Sequence, residues 1–165
     1  MAAVDVLGLV SDRLVGGMMF HSDMADLCRY MGFERLARLH ERGFEDDSSA
    51  YRKVHRLCVR RTGMLVPSGR QERDRYLDQH RAKRRTDVTD EARADALKDA
   101  MARWAEWEEG TADVFRSASR RLLDMGEMAL SQRVAKLADD TESELAELDD
   151  LRCRLSATGW DATLS

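Results

Sequence analysis

Six side chains able to ligate a metal or move a proton recur at helical spacing along the sequence: His21, His40, Asp47, Tyr51, Glu108 and Glu144. Carboxylates and imidazoles that converge from facing helices are donors suited to iron, manganese or zinc. A carboxylate placed inside a protein has to be paired, hydrogen-bonded, protonated or metal-bound, since desolvating it otherwise costs roughly several kcal/mol. Asp47, Glu108 and Glu144 are therefore the expected core of a metal centre, with His21, His40 or Tyr51 as further ligands or as hydrogen-bond supports. The plainer expectation is that the same groups hydrogen-bond one another or reach the solvated end of the fold, with no metal. Asp47 and Glu108 are expected in one layer, and without a cation at least one of them should hold a proton. No phosphate-binding loop and no Ser/His/Asp or Cys/His nucleophile set occurs, so no catalytic residue is assigned.

These residues need helices to bring them together, and the composition supplies helices. Hydrophobic residues make up 43% of the 165, charged residues 35%, and there is one proline, Pro67. Ala, Leu, Met, Arg and Glu lose little rotamer freedom in a helix, so the chain is expected to be all-α, a single domain over 1–165. Four periodic stretches stand out, at about 4–30, 33–61, 89–125 and 127–155. Their inward lines are Leu7, Val10, Leu14, Gly17, His21, Met24, Cys28 and Met31; then Leu36, His40, Gly43, Asp47, Tyr51, Val54 and Cys58. The third is Leu97, Met101, Trp104, Glu108, Thr111, Phe115, Ala118 and Leu122. The fourth is Val134, Leu137, Thr141, Glu144 or Leu145, Leu148, Leu151 and Leu155.

Gly32 and Gly126 are the expected hairpin turns, Gly63 with Pro67 the stop of the second helix, and Thr89 the cap of the third, with Asp90 and Glu91 in its first turn. Folding about Gly32 puts His21 level with Gly43, one turn from His40, and sets Asp47 against Gly17. Folding about Gly126 puts Glu108 level with Glu144, because both lie equally far along the chain from the turn. Residues 64–88 lose the apolar rhythm. A structureless loop of that length is unusual inside one domain, so it is expected to cross the length of an antiparallel four-helix bundle, with a helical turn around Tyr76 and Leu77. The basic run at 81–85 reads as part of that solvated crossover, and Trp160 as the anchor of the tail.

Trp104-Ala105-Glu106-Trp107-Glu108 through Asp124-Met125-Gly126-Glu127 to Asp139-Asp140-Thr141-Glu142-Ser143-Glu144-Leu145 resembles the third and fourth helices of ferritin-like proteins. The stretch from Phe33-Glu34-Arg35-Leu36 to Thr62-Gly63-Met64-Leu65-Val66-Pro67 is similar to that family's second helix and its exit. The resemblance implies a ferritin-like bundle with a long crossover between helices 2 and 3. It also implies a di-iron centre at the level of Glu108, and the chain departs from the family there. The second helix offers Glu45-Asp46-Asp47-Ser48-Ser49-Ala50-Tyr51 instead of Glu-x-x-His, and Leu14 stands where the first helix should supply a ligand. The short tail leaves no place for the fifth helix of ferritin cages, so a shell of two dozen subunits is not expected.

The expected function is thus a non-catalytic ferritin-like scaffold or interaction protein with a degenerate metal centre. The alternative is a metal-binding ferritin-like protein that handles iron or activates oxygen, in which case it would be a di-iron-type oxidoreductase or ferroxidase. A homodimer or small homo-oligomer, with a protein partner, is expected. Net charge is −4, from 27 basic and 31 acidic residues, which argues against a nucleic-acid partner. No apolar run reaches the roughly 20 residues of a membrane span. The first residues lack the basic region of a signal peptide, and Cys28, Cys58 and Cys153 have no metal or disulfide spacing. Together these point to the cytoplasm.

Overall fold

A computed structural model describes residues 2–63 and 90–159, apart from the side chains of Asp90 and Glu91. Four helices account for almost all of them: α1 Ala3–Tyr30, α2 Glu34–Thr62, α3 Asp90–Asp124 and α4 Met128–Thr158. Each is 28 to 35 residues long, hence roughly 42–52 Å at 1.5 Å per residue. Residues 64–89 and 160–165, with the expected crossover, the turn at Tyr76 and Leu77, the Thr89 cap, the 81–85 run and Trp160, lie outside the described residues.

The two hairpins close in the same way. At the first, Gly32 has φ +80°, and the Phe33 and Gly32 amides donate to the Cys28 and Arg29 carbonyls at 2.8 and 3.0 Å. At the second, Gly126 has φ +78°, and the Glu127 and Gly126 amides donate to Leu122 and Leu123 at 2.9 Å. Both are Schellman stops, whose left-handed residue favours glycine because no Cβ meets the following carbonyl. Salt bridges tie the paired helices outside the core, Arg29 with Glu41 between α1 and α2, and Arg116 with Asp139 and Glu142 between α3 and α4.

The core is divided into layers. At one end the start of α1 (Val6, Leu7, Val10, Leu14) meets the end of α2 (Val54, Cys58) and the end of α3 (Phe115, Ala118, Leu122), with Leu130, Val134 and Ala138 from the start of α4. At the other end Cys28, Phe33, Leu36 and Ala37 meet Leu97 and Met101 from the start of α3, with Leu148 and Leu155 from α4. These pairings make α1 antiparallel to α3 and α2 parallel to α3. The exit of α2 lies beside the second turn, where Arg61 bonds Glu127 at 3.1 Å. The start of α3 lies beside the first, where Arg93 stands over the Phe33 ring at 5.3 Å. Gly63 and Asp90 are thus at opposite ends of the bundle, as a crossover between α2 and α3 requires.

Every inward position named on α1 is buried, and on α3 all but the half-buried Trp104 are. The line on α2 differs in its middle. Leu36, His40, Val54 and Cys58 are buried, while Gly43, Asp47 and Tyr51 are only half-buried. On α4, Thr141 and Leu148 face in and Glu144 is exposed, so the phase of that helix turns Glu144 to the rim. No helix among the described residues is long and apolar enough to cross a membrane.

Candidate functional site

Between the two apolar ends lies a polar layer. His21 of α1 and His40 of α2 are 3% and 0% exposed, and their Nδ1 atoms are 2.9 Å apart. His21 Nε2 faces two carboxylates, Glu108 Oε1 of α3 at 3.6 Å and Asp47 Oδ2 of α2 at 4.0 Å. Trp104, one turn before Glu108, donates its indole N–H to Glu108 Oε1 at 3.0 Å. The pair of histidines is enclosed by rings: Trp104 lies 4.3 Å from His40, and Phe20 stands edge-on to both while stacking on Trp107 at 5.3 Å.

Two glycines make room for these side chains. A Cβ on Gly43 would sit 2.6 Å from the His21 ring, and one on Gly17 would collide with the Asp47 carboxylate. Each helix therefore omits a side chain where its partner's polar group lands. The register follows from the tight turn at Gly32, which fixes how far each residue lies from the hairpin's closed end.

Electrostatics follow from the burial. His40 is held neutral, its pKa lowered to about 3 by desolvation and then by the neighbouring His21. Its Nε2 has no hydrogen-bond partner among the described residues. Only one proton can occupy the Nδ1···Nδ1 contact, so one histidine donates and the other accepts. If His40 accepts there, its neutral ring carries the remaining proton on the unpartnered Nε2. Burial, with Glu108, Glu144 and Asp46 nearby, pushes the Asp47 carboxyl up to about 8, Arg13 acting in the other direction. Burial first, then Glu108, Asp46, Asp140 and Glu147, raises Glu144 to about 7, though its side chain stands at the exposed rim. Asp47 is thereby protonated over most of the neutral range. Its half-exposed position gives the layer its route to solvent.

Arg13 was not singled out by the sequence. Its guanidinium lies 3.6 Å above the Trp107 ring and donates to Thr111 Oγ1 and to the Trp107 carbonyl, both at 2.7 Å. Gly110 accommodates it, since a Cβ there would meet Arg13 Nη2 at 2.9 Å. The signal in hindsight is Gly110 beside Trp107 on α3, a small residue where a neighbouring helix sends in a long one.

The structure therefore brings together His21, His40, Asp47 and Glu108, with Glu144 at their edge. Tyr51 lies elsewhere, packed on the first apolar layer and stacked with His55 at 6.0 Å. Among the described residues no three His, Cys, Asp or Glu side chains are arranged to hold a metal ion as they stand. The layer sets one imidazole nitrogen of His21 against carboxylates from two different helices. No protein-family model, curated protein or solved structure matches the chain.

Proposed function

We propose that this chain is a ferritin-like helical scaffold in which a network of histidines and carboxylates stands in place of a metal centre, and that it acts by association rather than by catalysis. The observation that carries the reading is that the central polar groups partner one another: His21 with His40 at 2.9 Å, and Trp104 with Glu108 at 3.0 Å. Leu14, which the resemblance sets where the first helix would supply a ligand, is apolar and 2% exposed in the end layer around Phe115. The parallel run of α2 and α3, with their connection ending at opposite ends of the bundle, supports the ferritin-like connectivity. Association as a homodimer, or with another protein, is supported by Leu123, Met125 and Met128, exposed apolar residues gathered around the second turn. Three free cysteines, two of them buried, suit a reducing compartment such as the cytoplasm.

One observation favours a second reading, a carboxylate/His site for iron, manganese or zinc. His21 Nε2 has two carboxylate oxygens within 4.0 Å, and a modest closure would let a cation sit between them. Elemental analysis of the purified protein, with Glu108→Gln and Asp47→Asn variants, decides between the two. The scaffold reading expects no bound metal and equal or higher melting temperatures in the variants, because a neutral amide removes the cost of burying or protonating a carboxyl group there. Stoichiometric metal lost in both variants, with lower stability, overturns it in favour of the second. Light scattering of the wild type should give a dimer; a strict monomer or a large hollow shell counts against the association.

A further inference from the structure

The close helix pairings are α1 with α2, α3 with α4 and α1 with α3. Helices α2 and α4 stand further apart, and a groove of about 380 Å³ opens between them. Its floor is apolar, formed by Ala50, Val54 and Leu57 of α2 and Leu137 of α4. Its rim is cationic: Lys53, Arg56 and Arg60 from α2, Arg133 and Lys136 from α4. The α2 cations recur at three- and four-residue steps, so they lie on one face of the helix, and the two from α4 are three apart and look back across the gap. The one acid among the described lining residues, Asp140, is taken by Lys136 at 3.2 Å. Arg56 donates to the Arg52 carbonyl of its own helix at 3.3 Å, which leaves its charge uncompensated. Lys53, Arg60 and Arg133 have no ion pair among the described residues.

This concentration of positive charge runs against a chain whose net charge is −4. Five cations around one small space repel one another, and an anion between them removes that repulsion. The volume lies within the range of about 300–1,000 Å³ typical of small-molecule sites. An apolar floor with arginines along its rim asks for a ligand with both parts, since Arg holds carboxylate and phosphate oxygens in bidentate fashion. We propose that the α2/α4 groove binds a small anionic amphiphile, a phosphate or carboxylate attached to a short apolar body, with Arg60 and Arg133 holding the anion and Val54, Leu57 and Leu137 covering the apolar part.

Titration calorimetry of the full chain with octyl phosphate and with octanoate tests this, alongside inorganic phosphate, octanol and vesicles containing an anionic phospholipid. The proposal expects saturable one-to-one binding of the octyl anions, weakened as salt is added, and much weaker binding of inorganic phosphate or octanol. Arg60→Gln and Arg133→Gln, both at exposed positions, should each weaken binding about tenfold through loss of a charge-assisted contact. Lys136→Gln should cost less, because Asp140 already engages that side chain. Unaltered binding in both arginine variants, or no binding of either octyl anion, overturns the proposal. Equal binding of inorganic phosphate removes the role of the apolar floor and overturns it as well. Binding of anionic vesicles without binding of the free octyl anions would make the groove a membrane-contact patch instead. An acidic peptide that binds where the octyl anions do not would make it a protein-docking surface.

Discussion

The end layer around Phe115 and the middle layer around His21 are built from the same helices, and they are held together differently. Around Phe115 the contacts are apolar and non-directional, so each side chain contributes by the area it removes from water. Around His21 each contribution depends on a partner: the imidazole on a second imidazole, Glu108 on an indole N–H, Asp47 on a proton. The difference shows that a bundle can keep its register in the middle with polar groups provided the ends supply apolar burial. It also means that the histidines and carboxylates of the middle layer answer to pH, while the apolar cluster around Phe115 does not depend on their charge.

The largest expected effect belongs to the end layer. Phe115, 2% exposed, should cost about 3–5 kcal/mol on replacement by alanine, read from denaturant unfolding. The loss should be the same at pH 6 and pH 8, since no carboxylate or histidine belongs to that cluster. A loss that changes with pH would break the separation between the layers.

In the middle, Trp104→Phe keeps most of the ring and removes the N–H that Glu108 accepts. Stranding that buried carboxylate should cost about 1–3 kcal/mol. Adding Glu108→Gln to the same chain should recover part of the loss, because the charge that lacked a donor is gone. Equal stability of Trp104→Phe and the parent would mean that the indole bond contributes nothing, and that packing alone holds the middle.

The last effect is the pH dependence. Folded Asp47 titrates at about 8, whereas in the unfolded chain it loses its proton near about 4. Through that window the folded state holds a proton the unfolded state has released, so stability falls as pH rises. His40 acts in the opposite sense. It stays neutral when folded, down to about 3, while the unfolded chain takes up a proton below about pH 6.5, so acid lowers stability there. Above about pH 6.5 only the carboxylates remain, and the melting temperature should decline toward pH 8. Asp47→Asn should flatten much of that decline, and a parent protein that is already flat there would sink the assignment of a protonated Asp47.

The sequence was most legible where a short turn fixes distance. With Gly32 as the hinge, His21 against Gly43 and Asp47 against Gly17 follow from counting residues, and both contacts are present. Glu108 and Glu144 were placed at one level by the same count, and Glu108 is among the charges that raise the Glu144 carboxyl. Glu144 nonetheless points to the rim, because counting fixes height along a helix and leaves its rotation open, and Thr141 and Leu148 take the inward places. The seat of Arg13 on Trp107 and the α2/α4 groove were not legible. Both depend on how the two hairpins lie against each other, and no short turn sets that.

The exchange between Gly17 and Asp47, and between Gly43 and His21, has a consequence for how such a sequence can change over descent. Position 43 cannot gain a side chain while 21 keeps its ring, and position 17 cannot while 47 keeps its carboxylate in place. A lone replacement of His21 by a small residue would leave a void and strip His40 of the hydrogen bond to its Nδ1. The four positions are therefore expected to drift as two couples, joined through His40 and Glu108, so that diverging chains either inherit the polar centre whole or trade it whole for an apolar one.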